Sequence, residues 1–236
     1  MLNKYEITEN KQGIDMIITI DGPAAAGKGT ISTILAEQHK LARFDTGMVY
    51  RAVGLLMILN NISLENESKA EEFAKNLTFP QMMELSTHPD FRSDTGGKAA
   101  SVVSSYPTVR KALLKMQQDF ALNPVFANGQ KANGVVYDGR DTGTVVCPNA
   151  DLKIFVTADI EIRAMRRYKE FIAKGINAEY KKVLQDMIER DERDKNRSSA
   201  PLKPAEGAFI LDNSHIEMDN QIKIINNLIA ELQNKN

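Results

Sequence analysis

The chain has 236 residues, with 30 Lys and Arg against 31 Asp and Glu, a formal net charge of −1, and 42% hydrophobic and 26% charged residues; this suits one α/β domain with insertions and a sizeable core, or two small domains. The near-neutral balance, the absence of Trp and an aromatic content of 6% give no support to a protein that grips long nucleic acid. The single cysteine, Cys147, excludes an internal disulfide framework and suits a reducing cytoplasm, and no apolar run has the length of a membrane span or the pattern of a signal peptide.

Residues 1–15 are polar and aperiodic, the pattern of a loose N-terminal extension, and a single domain is read over 16–236. Met16–Ile20 is a continuous apolar run, as expected for a strand buried on both faces; Met16, which opens it, is an alternative start. A glycine-rich turn follows, then a helix over about Lys28–Gln38. Leu41–Phe44 reads as a second strand. Thr46–Asn60 reads as a helix, with apolar Val49, Val53, Leu56 and Leu59, and Asn66–Asn76 as another. Leu77–Gly97, with two prolines, two glycines and mixed polarity, reads as irregular. Lys98–Leu122 reads as helical with a break near Pro107, and Val125–Asn133 as a loop. Val135–Tyr137, ending at Asp138, and Leu152–Thr157 are strands. Glu161–Ile172 and Ala178–Arg190 are helices, and Phe209–Leu211 is a last strand. Met218, Ile222, Ile225, Ile229 and Leu232 recur at helical spacing. Strands alternating with helices predict a mostly parallel sheet, helices on both faces and right-handed crossovers.

The sharpest motif is Gly22-Pro23-Ala24-Ala25-Ala26-Gly27-Lys28-Gly29-Thr30, set between an apolar strand and a helix, as a phosphate loop requires. Small residues let the chain curl so that successive backbone N–H groups face inward. The following helix adds its N-terminal partial positive charge, and Lys28 reaches the β- and γ-phosphates. The common form of this loop has Ser or Thr directly after the lysine, to bind Mg²⁺. Here Gly29 holds that position, so Mg²⁺ is expected through the nucleotide and water, near the Thr30 hydroxyl, with no direct protein ligand.

A second set of groups suits a phosphorylated acceptor. Asp45-Thr46-Gly47-Met48-Val49-Tyr50-Arg51 places an arginine in a helix after the second strand, and Asp138-Gly139-Arg140-Asp141-Thr142-Gly143 follows another strand. Ligands of open parallel sheets bind outside the carboxyl ends of the strands, so Arg51 and Arg140 are expected to converge on the crevice that holds Lys28. Glu189–Arg197 is the densest charge pattern in the chain. A solvated helix face with pairs such as Arg190 with Asp194 would explain such a run. Arg190, Asp194 and Arg197 share one helical face, however, and Ser198-Ser199-Ala200-Pro201 ends the segment, as in a mobile arginine-tipped lid. His39, His88 and His215 have no metal-ligand spacing and read as surface or structural residues. Cys147, beside Val145–Val146, reads as a buried small hydrophobe.

In this order and spacing, IITIDGPAAAGKGT, FDTGMVYRAVG, DGRDTGTVVCPNADLKIFVTAD and ERDERDKNRSSAPLKPA resemble the bacterial cytidylate kinases, over roughly Ile17 to Ile229. The resemblance implies a P-loop kinase fold of class α/β: a five-stranded parallel sheet flanked by helices, an acceptor-binding insertion over about 61–133 and a short lid over about 190–204. It implies a cytoplasmic enzyme, expected to be monomeric, that uses ATP with Mg²⁺ to phosphorylate CMP and dCMP. By motif, Arg51, Arg140 and Arg197 would hold the acceptor phosphate, and Asp45 and Thr46 would line the acceptor pocket. Asp141 would contact the cytosine amino group, Ser101 and Arg110 would also read cytosine, and Arg190 and Asp194 would hold the ribose. Two departures stand out: Leu77–Gly97 is too short for the family's β-rich insertion, and Asn123–Gly134 is longer than the usual connection. The competing readings are a P-loop kinase for another acceptor, such as adenylate or shikimate, and a nucleotide switch or ATPase. The DGRD and arginine-rich segments oppose the first, and Gly29 opposes the second.

Overall fold

The computed structural model describes residues 16–234; the expected extension at 1–15 lies outside them. Five strands, Ile17–Asp21 (β1), Ala42–Asp45 (β2), Val135–Gly139 (β3), Leu152–Thr157 (β4) and Phe209–Asp212 (β5), form one parallel sheet in the order β2-β3-β1-β4-β5. The first strand in sequence is thus central, and its neighbours β3 and β4 flank it on either side. The helices are Lys28–His39 (α1), Gly47–Leu59 (α2), Glu67–Asn76 (α3), Phe79–Leu85 (α4), Asp94–Val103 (α5), Pro107–Leu122 (α6), Ile160–Ala173 (α7), Tyr180–Asn196 (α8) and Met218–Gln233 (α9).

Strand side chains alternate between faces, and the core divides accordingly. Ile18, Ile20, Val136 and Ile154 point to one face and pack with Ile31 and Leu35 of α1 and Ile225 and Ile229 of α9. Phe44, Val135 and Tyr137 point to the other and pack with Val53 of α2 and Leu113 and Phe120 of α6. On that face Phe44 lies 4.7 Å from Phe120 and 5.4 Å from Tyr137, centroid to centroid. A third, smaller cluster, of Ala164, Val183 and Met187, joins α7 to α8 and takes in Ala25 of the glycine-rich turn.

Segment 77–97 is ordered, contrary to the irregular reading. Thr78 caps α4 by accepting from the Gln81 amide at 3.3 Å, Ser93 caps α5 by accepting from the Gly96 amide at 3.1 Å, and Pro89–Arg92 forms a 3-10 turn between them. Side chains at such caps satisfy amides that helix starts leave open. Gly96 and Gly97 do not break α5; they admit close packing, since a Cβ on Gly96 would lie 2.3 Å from the Asp90 carbonyl oxygen. Helix α8 continues to Asn196, six residues past its expected end at Arg190. Residues 123–134 form a loop closed by one antiparallel bridge, Val125 with Lys131. A π-type turn over Thr142–Val146, not expected from the sequence, follows β3.

Candidate active site

The site is built at the carboxyl ends of the strands, where an open parallel sheet binds its ligands. A cavity of about 740 Å³ opens there. Every site residue expected from the sequence lines it except Gly22 and Pro23: Ala24 through Thr30, Asp45, Thr46, Arg51, Ser101, Arg110, Arg140, Asp141, Arg190, Asp194 and Arg197. Gly22 shapes the turn from behind. Its φ is 146°, and a Cβ there would lie 2.0 Å from the Val156 carbonyl oxygen of β4, a space only glycine leaves open.

The glycine-rich turn is held by its carbonyls. Lys28 Nζ donates to the Pro23 carbonyl at 2.7 Å, Arg163 Nη1 to that of Ala24 at 3.1 Å, and Asn213 Nδ2 to that of Ala26 at 2.8 Å. Ala25 and Gly27 have φ of 56° and 87°. Loops of this kind turn successive N–H groups to one concave side. Behind the turn, Asp21 accepts from the Thr142 amide at 2.8 Å, the Thr142 hydroxyl at 2.8 Å and the Gly143 amide at 2.7 Å. These bonds fix the π-type turn after Asp141 to the central strand.

Asp138, next to last in β3, pairs in register with Asp45 of β2. It accepts from Arg43 Nη2 at 2.7 Å and from the Ser32 hydroxyl at 2.9 Å, which ties β2, β3 and α1 together behind Lys28. On the far wall, Asp141 and Arg110, 5% and 6% exposed, form a short ion pair. Arg110 also lies over the Tyr50 ring, 5.1 Å from its centroid, a favourable seat for a guanidinium. Arg197 Nη2 approaches Asp141 at 3.7 Å. Asp194 pairs with Arg140 Nε at 3.0 Å, not with Arg190 as helical spacing suggested. Ser101 Oγ, Arg190 Nε and Arg197 Nη2 are buried polar atoms without a hydrogen-bond partner among the described residues. Buried polar atoms are seldom left so, and all three residues line the cavity.

The electrostatics follow from this crowding. Burial, then the charge of Arg140, hold the Lys28 ammonium pKa well below its usual value. Burial and the Arg140 guanidinium lower Arg190 to about 10. Burial and the neighbouring Asp138 raise the Asp45 carboxyl. Burial also works to raise Asp194, but Arg140, Arg190 and Arg197 outweigh it and hold that carboxyl below the usual range. The wall thus carries excess positive charge in a poorly solvated place, which is the environment a polyanion relieves.

Several lining residues were not singled out from the sequence. Arg92 of the 3-10 turn comes from the stretch read as irregular, and Lys98, Arg167 and Arg193 also line the cavity. Arg163 and Asn213 act on the turn from outside. The available signals were Arg163, Arg166 and Arg167 within one five-residue stretch of α7, and Asn213 just past β5. Among the described residues no three His, Cys, Asp or Glu side chains are grouped to hold a metal, and no helix is long and apolar enough to cross a membrane. Cys147 is buried, and burial pushes its thiol up to about 11, as suits a small core residue.

Residues 18–233 match the family model described as Cytidylate kinase. The chain belongs to the cytidylate kinase family. A curated cytidylate kinase of Bradyrhizobium sp. (strain ORS 278) is 46% identical over 208 residues, covering 88% of this chain and 92% of the relative. One from Bradyrhizobium diazoefficiens is 44% identical over 218 residues, covering 92% and 97%. The enzyme class is therefore phosphotransferase. The crystal structure of an uncharacterized protein from Eubacterium ventriosum has the same fold, with a TM-score of 0.50 at 12% identity over 91% of this chain and 98% of that one.

Proposed function

We propose that this cytidylate kinase family member transfers the γ-phosphoryl group of ATP to CMP and dCMP. The observation that carries this reading is one cavity with two unlike walls. On one side are the glycine-rich turn and Lys28; on the other are the buried Asp141–Arg110 pair and the unpartnered Ser101 hydroxyl. In this reading 61–133 is the acceptor-binding insertion and about 190–204 the lid, on an otherwise single domain.

Cytosine offers a donor at its N4 amino group and acceptors at N3 and O2. Asp141 accepts from the amino group, while Arg110 and Ser101 donate to the acceptors. Uracil presents an acceptor where Asp141 needs a donor, and buried groups left unpaired make such discrimination strong. Arg51, Arg140 and Arg197 bind the acceptor phosphate, with Asp45 and Thr46 beside them. Arg190 and Asp194 hold the ribose.

The donor phosphates lie in the turn 22–30, with Lys28 on the β- and γ-phosphates. An oxygen of the acceptor phosphate attacks the γ-phosphorus in line. The bond from that phosphorus to the β–γ bridging oxygen breaks, and ADP leaves. No protein nucleophile is needed; the residues position two polyanions and neutralise their charge. Thr30 and Asp138 line the cavity beside Lys28, and a hydroxyl and a carboxylate are oxygen donors of the kind hydrated Mg²⁺ accepts. These two residues would hold the hydrated ion carried in on the nucleotide, and it would supply further neutralisation of the phosphate charge. Arg140 of the DGRD turn, Arg190 of α8 and Arg197 just past its end close the cavity against water, which would otherwise hydrolyse ATP.

The test is ADP release with Mg·ATP against CMP, dCMP, UMP, AMP and GMP. Turnover with CMP and dCMP and little with UMP is expected. Equal turnover with UMP would remove the roles given to Asp141, Arg110 and Ser101. ADP release without any acceptor would replace the kinase reading with an ATPase.

A further inference from the structure

Arg163 of α7 sits in the layer behind the glycine-rich turn and is 5% exposed. A guanidinium so buried needs partners in several directions, and three elements supply them. Nε donates to the Ala158 carbonyl just past β4 at 2.8 Å, Nη1 to the Ala24 carbonyl at 3.1 Å, and Nη2 to Asp191 Oδ2 of α8 at 2.7 Å. Asp191 is equally buried, and its Oδ1 has no partner among the described residues. The pair therefore joins the turn to the helix that carries Arg190 and Asp194.

The Ala24 carbonyl and the Ala25 amide belong to one planar trans peptide, so they point in opposite directions. With the carbonyl held toward α7 by Arg163, the Ala25 N–H is turned to the other side, where Ala25 lines the cavity. Ala25 has a φ of 56°, a left-handed conformation that an L-residue with a side chain adopts only at a cost. Its methyl packs on the Ala164, Val183 and Met187 cluster of α7 and α8. Both the peptide and the side chain of this strained residue are thus fixed from the same two helices.

We propose that Arg163 is a positioning residue: with Asp191, it holds the Ala24–Ala25 peptide in the orientation that aims the Ala25 amide at the donor phosphates. The seating of α8 against α7 thereby sets how tightly the turn grips ATP. This inference rests on the donor-phosphate reading of the turn.

The experiment is calorimetric binding of ATP and of CMP, each alone, to the unaltered protein, to Arg163→Gln and to Arg163→Gln combined with Ala25→Gly. Arg163→Gln is expected to weaken ATP tenfold or more and to weaken CMP at least threefold less than ATP, the smaller loss coming through Asp191 on the helix that carries Arg190 and Asp194. Adding Ala25→Gly is expected to recover threefold or more, because glycine holds a φ of 56° without a side-chain cost. Should Arg163→Gln fail to fold, Arg163→Lys, which keeps the charge and loses the fork, enters the same comparison. Unchanged ATP affinity would overturn the proposal. So would an equal loss for both ligands with no recovery from Ala25→Gly, since that is what a merely structural role gives. If the unaltered protein bound no ATP, the donor-phosphate reading would fail and this inference with it; ATP binding that ignores Arg163 defeats this inference alone.

Discussion

Removing the charge of Asp141 should cost stability and specificity by separable routes. Asp141 and Arg110 are 5% and 6% exposed, and Arg197 Nη2, 3.7 Å from Asp141, has no hydrogen-bond partner among the described residues. Asp141→Ala therefore strands one buried guanidinium and deprives a second of its nearest carboxylate. Breaking a buried pair by deleting one partner costs about 3–5 kcal/mol. In a chain of this size that lowers the melting temperature by about 6–20 °C. Replacing both partners, Arg110→Met with Asp141→Leu, removes the stranded charge and should recover at least half of the loss. CMP turnover should not recover with it, because the double variant has no group to meet the amino nitrogen. Urea unfolding gives the stability cycle, and initial rates with CMP and UMP give the specificity. Single variants that each cost less than about 1 kcal/mol, or two costs that simply add, would refute the claim that the pair is desolvated and coupled.

Lys28→Met should cut ATP-dependent turnover at least a hundredfold, roughly the effect of losing one preorganised donor to transition-state charge. It should also flatten the rise in stability with pH. Burial keeps the folded pKa of Lys28 below 10.5, so between the lowered value and 10.5 the unfolded chain binds more protons, and stability increases with pH across that window. Urea midpoints of both proteins through pH 7–10 measure the difference, and parallel curves would show that Lys28 is not desolvated. Gly22→Ala should cost about 3 kcal/mol or more, since its Cβ would meet a carbonyl oxygen at 2.0 Å. Gly129→Ala, with a φ of 82° and no atom of the described residues within 4 Å, should cost only about 1–2 kcal/mol; thermal unfolding compares the two, and equal losses would refute the close approach to β4.

The parts of the fold legible in the sequence are those fixed by neighbouring residues. Leu152–Thr157 was bounded correctly because an apolar run between polar turns leaves little choice, and the glycine-rich turn announced itself through nine consecutive residues. Segment 77–97 was not legible, because its organising residues look like breakers. Thr78, Pro80 and Ser93 start helices there, and Gly96 and Gly97 pack inside one. Within the site, the arginines were visible as types but not as pairs. Asp194 has Arg190 one turn away yet bonds Arg140, 54 residues earlier, and Arg163 finds Asp191 across 28 residues. Which cation meets which carboxylate is decided by how α8 lies against α7 and the turn after β3, and no local periodicity records that.

The gathering of cations around Lys28 also bears on how the protein behaves in ordinary solutions. Arg140 lowers the proton affinity of Lys28, Arg51 and Arg190, and Arg51 lowers that of Arg190, so the repulsion among these cations is relieved by any compact oxyanion that reaches them. Sulfate or inorganic phosphate in a buffer is then a weak competitor for nucleotide and, by mass action, a stabiliser. Rates taken in phosphate buffer would read low for a reason unrelated to catalysis, and a melting point raised by sulfate would measure occupancy of the cavity before it measured anything about the core.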